Sequence, residues 1–112
     1  MKRPFDSFSL LALAGFINVS SAAAEPVSLE LLIRDHHFVP EELTVPAGVK
    51  VKLTITNEDS TPEEFESRSL KREKIIPGKR QVVLSIGPLD PGIHEFFGEF
   101  HEATAKGRLI VQ

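Results

Sequence analysis

The chain has 112 residues, a formal net charge of −3 and no cysteine. That length allows one compact domain besides a processed segment, and mild acidity argues against a nucleic-acid or anionic-membrane partner, which would need a basic face. Disulfides and thiolate chemistry are excluded, and with neither Trp nor Tyr present the eight Phe supply all aromatic packing.

The N-terminus reads as a cleaved signal peptide over residues 1–24. Lys2 and Arg3 form a positive start, Phe8 to Val19 an apolar run, and Ala22-Ala23-Ala24 a small-residue cleavage site. The run is short for a membrane span, which needs about 20 residues, although an uncleaved anchor is the alternative. Losing Lys2, Arg3 and Asp6 leaves the mature part, from Glu25, one unit more negative than the whole chain. The expected location is the periplasm.

From Glu25 onward the chain reads as short β segments separated by turn residues. Val27 to Arg34 is a first strand; Phe38-Val39-Pro40 and Leu43 to Gly48 form an edge segment ending in a turn. Val49, Val51, Leu53 and Ile55 alternate with Lys50, Lys52, Thr54 and Thr56, the period of two that marks a strand with one buried face. After the polar loop Asn57 to Pro62, Phe65 stands as an inward residue between Glu64 and Glu66. Strands are then expected at 73–76, 81–86, 93–97 and 107–111, with Pro77-Gly78 and Pro88 to Gly92 as turns. About seven strands without helical periodicity predict an all-β, antiparallel Greek-key β-sandwich over residues 25–112.

Chemistry-bearing residues crowd into two loops. One holds Glu63, Glu64 and Glu66, the other Glu99, His101 and Glu102. Carboxylate with imidazole suits copper(II), iron and zinc, whereas a thiolate-dependent site is impossible. Glu64 and Glu66 share a strand face opposite Phe65. Glu99 lies two residues from His101, so on an extended segment both would point to one side; Glu99 would then ligate or orient His101. His36 and His37 are adjacent, would point to opposite faces of an extended chain, and are given surface roles, as is His94. Lys71, Arg72, Glu73 and Lys74 read as a solvated mixed-charge run.

The order of Phe38-Val39-Pro40, Val45-Pro46-Ala47-Gly48, Asn57-Glu58-Asp59 and Pro91-Gly92-Ile93-His94-Glu95-Phe96-Phe97 resembles the cupredoxin family across the mature chain. The resemblance puts Glu63 where that family has its first copper-ligand His, Gly98 at the ligand Cys and His101 at the second ligand His. Met1 is the only methionine, so the axial ligand is missing too, and a blue-copper electron-transfer centre is ruled out. Glu63-Glu64-Phe65-Glu66-Ser67, Arg72-Glu73-Lys74 and Phe97-Gly98-Glu99-Phe100-His101 are similar to the EfeO-type and FtrB-like periplasmic components of bacterial ferrous-iron uptake systems. Glu63 and His101, from their matched positions, and Glu64, Glu66 and Glu99, from their spacing beside them, are the expected ligands of copper(II) or iron. The resemblance implies help in oxidising ferrous iron or in delivering it, with a periplasmic iron-binding protein and a membrane iron permease as partners; a homodimer is left open. Two other readings stand beside it. One is a copper chaperone or buffer, poorly served by a mature chain without Met; the other is a metal-free interaction module.

Overall fold

The computed structural model describes residues 25–112, and the expected signal peptide lies outside the described residues. Apolar–polar alternation becomes nine strands, β1 (Val27–Arg34), β2 (His37–Val39), β3 (Glu42–Val45), β4 (Val51–Asn57), β5 (Glu63–Ser67), β6 (Arg72–Ile76), β7 (Gln81–Ile86), β8 (Gly92–Gly98) and β9 (Lys106–Val111). A 3-10 turn, Glu99–His101, follows β8. The strands form a four-stranded sheet ordered β2-β1-β4-β7 and a five-stranded sheet ordered β3-β9-β8-β5-β6.

The β-sandwich is thus as expected, but its sheets are mixed and its strands more numerous. β1 runs parallel to β4, and β3 runs parallel to β9, so the fold is not purely antiparallel. The segment expected as one edge breaks at Pro40-Glu41. Before the break β2 pairs with β1 in one sheet; after it β3 pairs with β9 in the other. Proline has no N–H to donate to a ladder, so a crossover between sheets is a place that tolerates it.

Leu31, Ile33, Val51, Leu53 and Ile55 from one sheet meet Leu43, Phe65, Phe96, Leu109 and Val111 from the other, all buried. Each such side chain contributes about 1.5–3 kcal/mol relative to exposure. Phe38, Phe65 and Phe96 pack as an aromatic triad, with ring centres 5.1 to 6.1 Å apart. Above this triad lie the start of β5, the end of β8 and the β1–β2 turn, and these carry the chemistry.

Candidate metal centre

β5 presents two carboxylate-bearing faces. Glu63, Phe65 and Ser67 are buried, whereas Glu64 and Glu66 face outward and are half-buried. The period of two therefore separates neighbours in sequence into two environments.

On the inner side Glu63 is a buried carboxylate that is fully engaged. Its Oε1 accepts the backbone N–H of Glu64 and that of Phe100, each at 2.9 Å. Its Oε2 lies 2.7 Å from His101 Nδ1, with only 2% of the Glu63 side chain exposed. An ionised carboxylate only accepts, so in this contact Nδ1 is the donor. Gly98 makes room for this arrangement. A Cβ there would stand 2.6 Å from Glu63 Cδ and 2.7 Å from Ala105 Cβ.

On the outer side four carboxylates converge. Glu64, Glu66, Glu73 and Glu99 each offer an oxygen within 4.8 Å of the others. The strand register dictates most of this, since Glu73 on β6 sits directly opposite Glu66 on β5. Like charges directly opposed across a strand pair are destabilising. Desolvation, then a shared hydrogen bond with Glu73 and the charge of Glu99, push Glu64 from 4.5 to about 7. Glu66 is raised as well, first by its hydrogen bond with Glu99 and then by desolvation, and Arg68 opposes this only weakly. The guanidinium of Arg68 instead lies over the Phe97 ring, 5.0 Å from its centre. The cluster is an acidic basin without a cation of its own among the described residues.

A third group stands at the mouth of the inner side. Asp35 and His36 form the β1–β2 turn in the left-handed region, with φ of 51° and 63°. Asp59 holds that turn, its carboxylate accepting the N–H of Asp35 at 2.8 Å and of His36 at 3.0 Å. Those bonds hold Asp59 below the ordinary aspartate range against the effect of its burial. Buried Asn57 fixes the loop that carries Asp59, accepting the Asp59 N–H at 3.0 Å and donating to the Thr61 and Ile76 carbonyls. The His36 ring is thereby laid flat on that of His101, with centres 3.6 Å apart and planes 11° from parallel.

The five residues singled out from the sequence thus fall into two groups. Glu64, Glu66 and Glu99 come together outside; Glu63 and His101 come together inside. Glu99 does not share a side with His101, because residues 99–101 wind into a 3-10 turn rather than continuing extended. His36 is not a remote surface residue. The extended-chain assumption fails where the backbone turns left-handed, and the turn carries His36 onto His101. His37 and His94 do stay peripheral, bonded to the Asp35 carbonyl and the Ser69 hydroxyl. Glu73 was read as part of a solvated run. Counting the β5–β6 hairpin outward from its turn, with Ser67 opposite Arg72, would have placed it against Glu66. Asp59 meeting His36 is a contact 23 residues long and left no local signal.

A family profile for the cupredoxin-like domain matches residues 7–111. The chain belongs to the cupredoxin-like family. Over 85 residues it is 45% identical to the uncharacterised protein RP394 of Rickettsia prowazekii, covering 76% of this chain and 68% of that protein. Among solved structures it is similar to auracyanin A, a blue copper protein from Chloroflexus aurantiacus (TM-score 0.68, 16% identity, 79% of this chain and all of that one). It is also similar to the metal-binding domain of the Streptococcus pneumoniae Cu(I)-exporting ATPase CopA (TM-score 0.64, 16% identity, 81% of this chain and 99% of that one). At such identities these structures establish the shared fold.

Blue copper, which the fold brings to mind, does not fit this cupredoxin-like protein. The chain has no thiolate to offer. At Gly98, where the resemblance places the ligand Cys, any side chain would collide with the Glu63 carboxylate. The space is closed by Glu63 and His101 bonding to each other.

Proposed function

We propose that this cupredoxin-like protein is a periplasmic metal-binding accessory of iron uptake, holding iron or copper(II) at the outer carboxylates. The observation that carries the reading is the convergence of Glu64, Glu66, Glu73 and Glu99 within 4.8 Å, on a strand pair where opposed carboxylates are otherwise unfavourable. A cation relieves that repulsion, and oxygen donors suit hard or borderline ions. They also favour ferric over ferrous iron. Ferrous iron held there would release one electron to an external oxidant, copper(II) reduced to copper(I) or dioxygen reduced to superoxide, and leave ferric iron on the carboxylates. The ferric ion would then pass to a periplasmic iron-binding protein and a membrane iron permease. Kinship with copper-binding proteins supports a metal-handling role over a metal-free interaction module.

The test is titration of the purified protein with copper(II), ferrous and ferric iron, followed by oxygen consumption with ferrous iron. Glu66→Gln, which keeps size and removes charge, should weaken binding by about tenfold or more, or about 1.4 kcal/mol per factor of ten. Wild-type affinity in Glu66→Gln would remove the outer cluster from the account.

A further inference from the structure

Each sheet ends in two edge strands, β2 and β7 in one, β3 and β6 in the other. An edge strand presents unpaired N–H and C=O groups, and proteins blunt such edges by shortness, charge or proline. β2 is three residues long and runs into Pro40. β3 lies between Pro40 and Pro46 and carries Glu42, ion-paired with Arg108. β6 carries Arg72, Glu73 and Lys74 and stops at Pro77. β7 has neither charge nor proline from Gln81 to Ile86. We propose that this edge is a self-association surface, on which β7 pairs antiparallel with β7 of a second copy about a two-fold axis at Val83.

The ladder shows which groups are on offer. β7 is antiparallel to β4, with Thr56 opposite Gln81, Thr54 opposite Val83 and Lys52 opposite Ser85. Bonded and non-bonded pairs alternate along such a ladder. One step beyond this register Asn57 faces Arg80, and the Asn57 N–H donates to the Arg80 carbonyl at 2.8 Å. That pair is bonded, so Val82, Leu84 and Ile86 turn their N–H and C=O toward β4, while Gln81, Val83 and Ser85 turn theirs outward. Arg72 agrees, because its guanidinium donates to the Ser85 carbonyl. A carbonyl oxygen has two lone pairs, so a second donor can still be accepted there. The same three residues expose their side chains, and Val83 is 51% exposed.

The edge holds its own complement. Pairing about Val83 sets Val83 against Val83 of the second copy and Gln81 against its Ser85. Each outward N–H then meets an outward C=O, as a bonded antiparallel pair requires; a slip of one residue would set outward groups against inward ones. Across the joined outer face one row reads Thr54, Val83, Val83, Thr54 and the next Lys52, Ser85, Gln81, Thr56. A β-branched pair lies on the axis and no charge opposes a like charge, both of which favour cross-strand pairing. The occupant is therefore a second copy of this chain. The outer carboxylates lie on and beside the other sheet and stay open, so the pairing is independent of the metal-binding reading. An edge-only contact buries less than the roughly 1,000 Å² of a stable interface, which puts the dissociation constant at about 10 µM to 1 mM.

Sedimentation velocity of the purified protein from about 10 µM to about 1 mM is the measurement, with amide hydrogen exchange at both ends of that range. Wild type should pass from monomer to dimer, and exchange at Gln81, Val83 and Ser85 should slow at the high end. Val83→Lys and Val83→Glu each place like charges at the axis. Each should dimerise about tenfold or more weakly, with an unchanged circular dichroism spectrum because the side chain is exposed. An equimolar mixture of the two variants should recover the dimer, since pairing at Val83 sets their opposite charges against each other. A monomer throughout, dimerisation unchanged in both variants, or no recovery in the mixture overturns the proposal. Growth past the dimer does so too, because a closed two-fold pair leaves no further β7 edge to extend.

Discussion

Truncating Glu63 to Ala should destabilise the domain more than any change on the outer carboxylates. The substitution strips the acceptor from two backbone N–H groups, of Glu64 and Phe100, and from His101 Nδ1. Hydrogen bonds to a charged group contribute about 1.5–3 kcal/mol each, and breaking a buried pair by removing one partner costs about 3–5 kcal/mol. A loss of roughly 3–5 kcal/mol is expected, which at about 4–8 °C per kcal/mol lowers the melting temperature by some 12 °C or more. Glu63→Gln separates charge from shape. Its amide oxygen can still accept from Glu64 and Phe100, and its NH2 can donate to His101 once the ring changes tautomer, so a smaller loss of about 1–2 kcal/mol is expected. Urea unfolding followed by far-ultraviolet circular dichroism measures both, since the chain has no Trp to report. If Glu63→Ala matches wild type within about 0.5 kcal/mol, the carboxylate does not hold the β5–β8 end together and the reasoning fails.

Gly98→Ala places a Cβ 2.6 Å from Glu63 Cδ in a crowded wall, and thermal melts should show a loss of about 1–3 kcal/mol. Glu64, ordinarily at 4.5 but pushed to about 7, binds its proton more tightly folded than unfolded. Metal-free protein should therefore lose stability as pH rises from about 4.5 to about 7, and urea midpoints across that window should flatten in Glu64→Gln. An unchanged slope in that variant would assign the effect elsewhere. Copper-loaded protein should be pale in absorption spectra; an intense charge-transfer band of the Cu–thiolate kind would contradict a chain without cysteine.

What the sequence revealed and what it hid follow from the range of the interactions concerned. The alternation expected from Val49 to Thr56 and the inward Phe65 between outward carboxylates are properties of single strands, and both appear, the first strand starting two residues later at Val51 and ending at Asn57. Strand partners are not local. Nothing in Leu43 to Val45 announces that β3 will run parallel to β9. At the site, Glu64 and Glu66 were legible together because a strand has period two, while Glu99 was assigned to the wrong side because three residues wind into a 3-10 turn. The placement of His36 depends on Asp59, just past β4, bonding the turn that follows the neighbouring parallel strand β1, and adjacency to His37 could not reveal it.

In many small metalloproteins the ion is part of the fold, and stripping it unfolds the chain. Glu63 gives this end of the sandwich a fastening of another kind. It ties β5 to the 3-10 turn with two hydrogen bonds, to Phe100 and His101, that need no ion. An ion taken up at the proposed outer carboxylates would then be a surface ligand, exchanged by supply and by competing chelators, and not a part of the fold.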